Sequence, residues 1–99
     1  MYPRIRALRE DNDLSQTMVA KMLDMSQTGY SKYETGENDI SPALLTKLAY
    51  FYDTSVDYLL GITDSKDPGQ RAASQLELYR KYRKIFSEMT AEKDRRSRQ

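Results

Sequence analysis

Residues 15–36 decide the fold, and they read Ser15-Gln-Thr-Met-Val-Ala-Lys-Met-Leu-Asp-Met-Ser-Gln-Thr-Gly-Tyr-Ser-Lys-Tyr-Glu-Thr-Gly36. The pattern predicts two short helices with a turn of a few residues between them. Ser15 and Ser26 are typical N-cap residues, and each stands immediately before one of the helical patterns. Gly36 suits the left-handed conformation that ends many helices. Two helices this close together form either a helix-turn-helix unit or another αα corner, and the spacing alone leaves both open.

The second helix, residues 27–35, has a buried face and an exposed face. Tyr30 and Tyr33 are expected on the buried face, while the exposed side chains are short, carry an amide or a hydroxyl, or supply one cation. A helix with such a face fits the major groove of B-DNA, where these groups hydrogen-bond to base edges. The candidate base contacts are Gln27, Thr28, Gly29, Ser31 and Lys32.

From Ile5 to Gly61 the chain also resembles the Cro/repressor-type (XRE-like) helix-turn-helix family of bacterial and phage regulators. The resemblance implies an all-α fold with a five-helix lambda-repressor-like DNA-binding domain, and double-stranded DNA as the partner. It leaves the operator sequence open. In the turn the family usually has glycine, whereas this chain has Asp24, which tolerates the left-handed conformation better than most residues. The motifs that carry the resemblance are Ile5-Arg-Ala-Leu-Arg-Glu10, Leu14-Ser-Gln16, Val19-Ala20, Met25-Ser-Gln27, Tyr30-Ser-Lys-Tyr-Glu-Thr-Gly36, Leu48-Ala49 and Ser55-Val-Asp-Tyr-Leu-Leu-Gly61.

The same resemblance implies roles for individual residues. Gln27 matches the residue that opens the recognition helix and hydrogen-bonds a base edge, and a glutamine amide suits adenine N6 and N7. Arg9 and Glu34 match an arginine–glutamate pair that ties helix 1 to the end of the recognition helix, which is a structural bridge rather than a site. The N-terminus of helix 2 favours phosphate. The predicted phosphate contacts are Gln16, Thr17, Tyr33 and Asn38, with simple packing as an equal alternative for Tyr33.

Composition excludes several classes of function. The chain has 99 residues, no cysteine and no histidine, which removes disulfides, thiolate metal sites and the most common general base. It contains no nucleophile–base set, glycine-rich phosphate loop or metal cluster, so the sequence predicts neither an enzyme nor a cofactor or metal site. No apolar run reaches the roughly 18 residues of a membrane span, and no signal-peptide pattern opens the chain. We therefore expect a cytoplasmic protein.

Charge is distributed unevenly along the chain. Residues 1–68 contain 7 Lys/Arg and 11 Asp/Glu, a net charge of −4, whereas residues 69–99 contain 9 and 4, a net charge of +5. An acidic domain binds DNA when its cations and helix N-termini converge on one face. We expect its non-specific affinity for DNA to be modest.

Local signals predict that residues 1–61 form the helix-turn-helix domain. Pro3 fits the first position of helix 1, Ser41-Pro42 begins helix 4, and Gly61 ends helix 5. Residues 62–69 are polar and include a Pro-Gly pair, so they are predicted to be a linker.

A C-terminal amphipathic helix is predicted over residues 70–91, followed by a disordered basic tail over residues 92–99. The apolar face of this helix is too wide for a solvated helix. It packs either on its own domain or on the same helix of a second chain, and we favour a homodimer because this fold usually binds DNA in pairs. The predicted dimer interface, which has the spacing of a short coiled coil, is Leu78, Tyr82, Ile85 and Met89.

The leading functional hypothesis is a sequence-specific DNA-binding transcriptional regulator, and more narrowly a dimeric repressor that binds a palindromic operator. Two alternatives use the C-terminal helix differently. In one, the protein is the antitoxin of a toxin–antitoxin pair and the helix clamps the toxin. In the other, it is a protein-interaction module whose C-terminal helix docks a partner.

Overall fold

A computed structural model describes the backbone of residues 2–97 and the side chains of residues 2–91. Within residues 2–97 it contains helices and no strands, which confirms the predicted all-α fold class. The α-helices are α1 (Pro3–Asp11), α2 (Gln16–Met22), α3 (Gln27–Thr35), α4 (Pro42–Phe51), α5 (Val56–Leu59) and α6 (Leu76–Ser97), and a 3₁₀ turn at Ala73–Gln75 precedes α6.

Serine side chains begin the four helices α2 to α5. Ser15, Ser26, Ser41 and Ser55 each lie just before a helix in an extended conformation. Each hydroxyl accepts a hydrogen bond from the backbone N–H three residues later, at 3.0–3.2 Å. Each bond satisfies one of the unpaired N–H donors at the start of its helix. Because the cap and its partner are only three residues apart, the starts of these helices can be predicted from the sequence.

Three aspartates end helices in the left-handed conformation that glycine usually adopts. Asp13, Asp24 and Asp53 have φ angles of 55°, 59° and 54°. At the end of α2, the N–H of Asp24 donates to the carbonyl of Lys21 at 3.0 Å, and the N–H of Met25 donates to that of Ala20 at 2.9 Å. This pair of bonds is a Schellman motif. It closes α2 and turns the chain directly into α3, with the strain at Asp24 that a Cβ atom causes in this conformation.

One hydrophobic core joins all the helices. Ile5, Val19, Tyr30, Leu48 and Phe51 are completely buried. Ala20 is 1% exposed where α2 and α3 approach each other, so a larger side chain there would separate the two helices. The shared core holds the α2–α3 pair at a fixed angle to the rest of the domain.

The C-terminal helix α6 packs on α4 of its own chain. Tyr82 is 4% exposed within the core, and the ring of Phe86 meets that of Phe51 edge-to-face with centroids 5.1 Å apart. Arg83 Nη1 donates to the carbonyl oxygen of Phe51 at 2.6 Å. Helix α6 therefore completes the domain. It begins later than the predicted residue 70, and it continues to Ser97, into the segment predicted to be a disordered tail.

This packing covers part of the predicted dimer interface within a single chain. Because Tyr82 is buried in its own chain, it is not available to a second copy. Leu78, Ile85 and Met89 are partly buried against the same core. Within one chain the apolar face of α6 thus packs on α4, and contact of its partly exposed residues with a second chain stays a prediction.

The segment between α5 and α6 lies against the domain. Arg4 on α1 donates to the carbonyl oxygens of Tyr58, at 2.9 Å, and Thr63, and it forms an ion pair with Asp64 at 2.6 Å. The guanidinium of Arg71 lies 4.5 Å from the Tyr50 ring centroid. Residues 62–69, predicted to be a linker, therefore contact α1 through Thr63 and Asp64, and the carbonyl oxygen of Lys66 accepts a hydrogen bond from Thr54 Oγ1 at 2.8 Å.

Candidate nucleic-acid interface

Helix α3 presents its N-terminal half to solvent. Gln27, Thr28 and Lys32 are exposed, while Gly29 and Ser31 are half-buried. The opposite face carries Tyr30 and Glu34, both buried. The residues predicted to contact bases thus lie on the side of the helix away from the core. The side chains of Gln27, Thr28 and Lys32 are the most exposed of them.

Gly29 has a local role that the sequence did not reveal. A Cβ atom at this position would lie 3.1 Å from Ser26 Oγ and 3.3 Å from Met25 Cε, both closer than ordinary contact. Ser26 Oγ is the group that caps α3. The absence of a side chain at Gly29 therefore leaves room for the cap, and its predicted contact with DNA stays a prediction.

The residues predicted to contact phosphate lie at the edges of this face. Thr17 is exposed and Gln16 is half-buried, both in the first turn of α2. Asn38 is exposed, and its backbone N–H donates to the carbonyl of Lys32 at 3.2 Å, which holds the loop beside α3. Tyr33 is half-buried and packs against the core, which agrees with simple packing, the alternative to a phosphate contact.

Arg9 and Glu34 form a buried ion pair beneath the exposed face. Arg9 Nε and Nη2 donate to the two carboxylate oxygens of Glu34 at 2.7 and 2.9 Å. The Glu34 side chain is only 3% exposed and that of Arg9 is 12% exposed. Arg9 Nη1 also donates to the carbonyl of Leu14 at 2.9 Å. The pair joins α1, the α1–α2 connection and α3, which is the bridging role that the family resemblance implied.

The hydrogen bonds of this pair keep Glu34 ionised. Burial opposes ionisation and raises the pKa of the carboxyl group, but hydrogen bonds from Arg9 and Gln16 are among those that outweigh burial, so the pKa of Glu34 lies below its usual range. The carboxylate is therefore an acceptor at neutral pH, with no proton to donate.

Gln16 connects this buried pair to the recognition helix. Its Nε2 donates to Glu34 Oε1 at 3.1 Å, and its Oε1 accepts a hydrogen bond from Gln27 Nε2 at 2.5 Å. The sequence predicted Gln16 as a phosphate contact and did not predict this connection. No local pattern reveals it, because the linked residues are 11 and 18 positions apart.

Neither a metal-binding cluster nor a membrane-spanning helix occurs among the described residues. No group of three or more histidine, cysteine, aspartate or glutamate side chains within them has the arrangement of a metal site. In the same part of the chain, no helix is long and apolar enough to cross a membrane.

Comparison with known proteins identifies the family of the chain. A helix-turn-helix family model matches residues 5–59, which run from the first turn of α1 to the end of α5. An uncharacterised HTH-type transcriptional regulator, YobD of Bacillus subtilis (strain 168), is 37% identical over 65 residues, covering 66% of this chain and 58% of YobD. The SPbeta prophage-derived uncharacterised HTH-type transcriptional regulator YonR of the same strain is 35% identical over 57 residues, covering 58% of this chain and 53% of YonR.

No solved structure matches the chain. The matched region spans little more than half the length of the two curated relatives. The family match nevertheless covers more than half of this chain. The chain therefore belongs to the XRE-type helix-turn-helix family of DNA-binding transcription regulators, which are not enzymes.

Proposed function

We propose that this protein is a sequence-specific repressor that inserts α3 into the major groove of its operator. The observation that carries the proposal is the exposed face of α3, where Gln27, Thr28 and Lys32 extend away from the core while the opposite face is buried. An α-helix fits the major groove, and the groove distinguishes all four base pairs. A repressor acts by occupying a site that overlaps a promoter.

Each exposed side chain suits a particular partner in the groove. The amide of Gln27 pairs with adenine N6 and N7, and the hydroxyl and methyl groups of Thr28 suit a base edge or the thymine methyl group. Lys32, one turn further along the exposed face, reaches guanine or a phosphate. Ser31 is half-buried and makes a shorter contact on the same face.

Phosphate contacts orient the helix in the groove. Gln16 and Thr17 lie where the first N–H groups of α2 point outward, and Asn38 lies on the loop beside α3. Among these residues and those on the exposed face of α3, only Lys32 carries a positive charge. We therefore expect a shallow dependence of affinity on salt, in keeping with the net negative charge of residues 1–68.

We further propose that two copies bind a palindromic operator in the cytoplasm, with half-sites roughly 34 Å apart, as is typical of helix-turn-helix proteins. Because Tyr82 is buried in its own chain, only Leu78, Ile85 and Met89 of the predicted α6 interface keep exposed surface for contact between the copies. Sedimentation of the free protein and of its complex with the operator measures this stoichiometry directly. The antitoxin and interaction-module alternatives also use the apolar face of α6, and its packing on α4 leaves less of that face exposed for a partner.

Selection of bound sites from random DNA tests the proposal. The wild-type protein should enrich one motif, and Gln27→Ala should relax the choice at one base pair and cost about 1–3 kcal/mol on the selected site. Asp57→Asn, an exposed substitution on α5, is the matched control and should enrich the wild-type motif. Enrichment of no motif by the wild-type protein, or an equal loss of affinity on all sequences in Gln27→Ala, contradicts the proposal.

A further inference from the structure

A polar cleft of about 490 Å³ lies between α1 and the C-terminal end of α3. Arg6 and Glu10 of α1 line one part of it, and Glu34 of α3 and Gln16 of α2 line another. The cleft is therefore next to the helix that we propose to insert into DNA, but on its flank rather than on the face that carries Gln27.

Two arginines lie near this cleft, and their guanidinium groups are engaged to different extents. Arg9 donates through Nε and Nη2 to Glu34 and through Nη1 to the carbonyl of Leu14, and its side chain is 12% exposed. Arg6 donates through Nε to Glu10 Oε1 at 2.8 Å, and its side chain is 66% exposed. Of the two, Arg6 is thus the cation that can reach a ligand arriving from solvent.

The carboxylate of Glu10 neutralises this part of the surface. Its Oε1 lies 2.8 Å from Arg6 Nε and 3.8 Å from Arg9 Nη2. Together with Glu34, these residues carry two positive and two negative charges. The Glu10 side chain is 52% exposed, and an exposed ion pair between residues four apart on a helix is weak. Turning Glu10 out to water therefore costs little and leaves a net positive charge at the cleft.

DNA bound to α3 would bring its backbone to this flank. An α-helix with its side chains is about 10–12 Å across, and the major groove is about 12 Å wide, so the structure beside an inserted helix meets the sugar–phosphate strand. Helix α1 lies beside α3, because Arg9 on α1 is bonded to Glu34 on α3. A phosphate group is an anion that accepts two parallel hydrogen bonds from a guanidinium, so it can replace Glu10 as the partner of Arg6.

We propose that Arg6 binds one phosphate group of the DNA backbone at this cleft, and that the phosphate displaces the Glu10 carboxylate that holds Arg6 in the free protein. This inference rests on the proposed function, because it requires α3 to lie in the major groove. The contact itself carries no sequence information. Glu10 therefore weakens binding to every sequence alike, since its pair with Arg6 must break before the phosphate binds.

Two substitutions with opposite effects test this exchange of partners. Arg6→Gln should weaken binding to the selected operator and to an unrelated duplex equally, by about 2- to 10-fold, and the slope of log K against log salt should become shallower by about 0.9. Glu10→Gln should strengthen binding to both duplexes by about 2- to 5-fold, because Arg6 is then free to bind phosphate. Both residues are exposed, and thermal melts check that each variant is folded.

Matched controls remove the same charges elsewhere. Asp11→Asn, next to Glu10 on α1 but outside the lining of the cleft, should change the affinity for DNA by less than about twofold. Arg80→Gln, at an exposed position on α6, should leave both the affinity and the salt slope unchanged.

The double variant separates displacement of Glu10 from general repulsion of DNA. In the Arg6→Gln background, Glu10→Gln should strengthen binding no more than Asp11→Asn does, because the phosphate has lost its partner. An equal gain from Glu10→Gln in both backgrounds would overturn the proposal, because general repulsion alone would then account for it. The proposal is also wrong if Arg6→Gln behaves like Arg80→Gln.

The NMR signal of the Arg6 Nε–H group gives a readout that does not depend on affinity, and Arg6→Gln identifies the signal by removing it. The signal should shift when operator is added and stay in place with inorganic phosphate at the same ionic strength, because DNA bound to α3 holds a phosphate at the cleft. A signal that operator leaves unchanged, or that inorganic phosphate shifts equally, would overturn the proposal. Failure of the proposed function gives a different result, namely no base preference at any position for the wild-type protein.

Discussion

Replacing Tyr82 with alanine tests whether α6 belongs to the domain of its own chain. The side chain is 4% exposed, and it is part of the core that also contains Leu48 and Phe51. Truncating a buried aromatic residue to alanine costs about 3–5 kcal/mol, from lost burial and the cavity that remains. The free energy of unfolding of a small domain is about 5–15 kcal/mol in total. Tyr82→Ala should therefore remove a large part of the stability of the whole protein.

Urea denaturation, followed by far-UV circular dichroism at several protein concentrations, measures this effect. We expect a lower midpoint for Tyr82→Ala in a single transition that does not depend on concentration, because the lost contacts are within one chain. Lys84 is exposed on the same helix, and Lys84→Ala should leave the free energy of unfolding within about 0.5 kcal/mol of the wild-type value. An unchanged midpoint in Tyr82→Ala, or a loss that disappears at high protein concentration, would refute the intramolecular packing of α6.

Substitutions at three further positions test the ion pair, the turn and an unpaired hydroxyl. Because the pKa of Glu34 is lowered in the folded state, its stabilising effect is present above the unfolded pKa of about 4.3 and is lost as pH falls through the folded value. Glu34→Gln should therefore lower the free energy of unfolding by about 3–5 kcal/mol at pH 7. In urea unfolding, the difference in this free energy between wild type and variant should narrow below about pH 4. A difference that stays constant with pH would contradict this cause. Asp24→Gly should raise the free energy of unfolding by about 1 kcal/mol by relieving left-handed strain, and Asp24→Ala should lower it; the reverse order in thermal melts would rule out strain at the turn. The hydroxyl of Tyr52 is buried and has no hydrogen-bond partner among residues 2–91, so Tyr52→Phe should stabilise the protein by about 1 kcal/mol in the same melts. A destabilised Tyr52→Phe variant would mean that the hydroxyl has a partner.

The starts of the helices could be predicted because the signals that set them are local. Ser15 and Ser26 act on N–H groups three residues away, so the sequence contains the whole interaction. The same holds for Gly36, whose φ of 86° ends α3 as expected. The exposed face of α3 also follows from local periodicity, since burial of Tyr30 and Glu34 leaves Gln27 and its neighbours outward.

The partner of α6 could not be predicted because an apolar face does not specify what covers it. The spacing from Leu78 to Met89 suits a coiled coil and an intramolecular contact equally well. The choice depends on distant residues, such as Phe51, which meets Phe86, and Asp53, which accepts a hydrogen bond from Tyr79 at 2.9 Å. The link between Gln16 and Gln27 was missed for the same reason, because it exists only once α2 and α3 are packed.

An NMR titration of the labelled protein with its selected operator tests the central claim most directly, which is that the exposed face of α3 contacts DNA. We predict the largest backbone shifts at residues 26–32, with smaller ones at Gln16 and Thr17 and none at Lys84 on α6. We also predict that the side-chain amide of Gln27 shifts with the selected operator and does not shift with a duplex altered at the base pair it contacts. Shifts concentrated on α6, with α3 unchanged by saturating operator, would contradict the account.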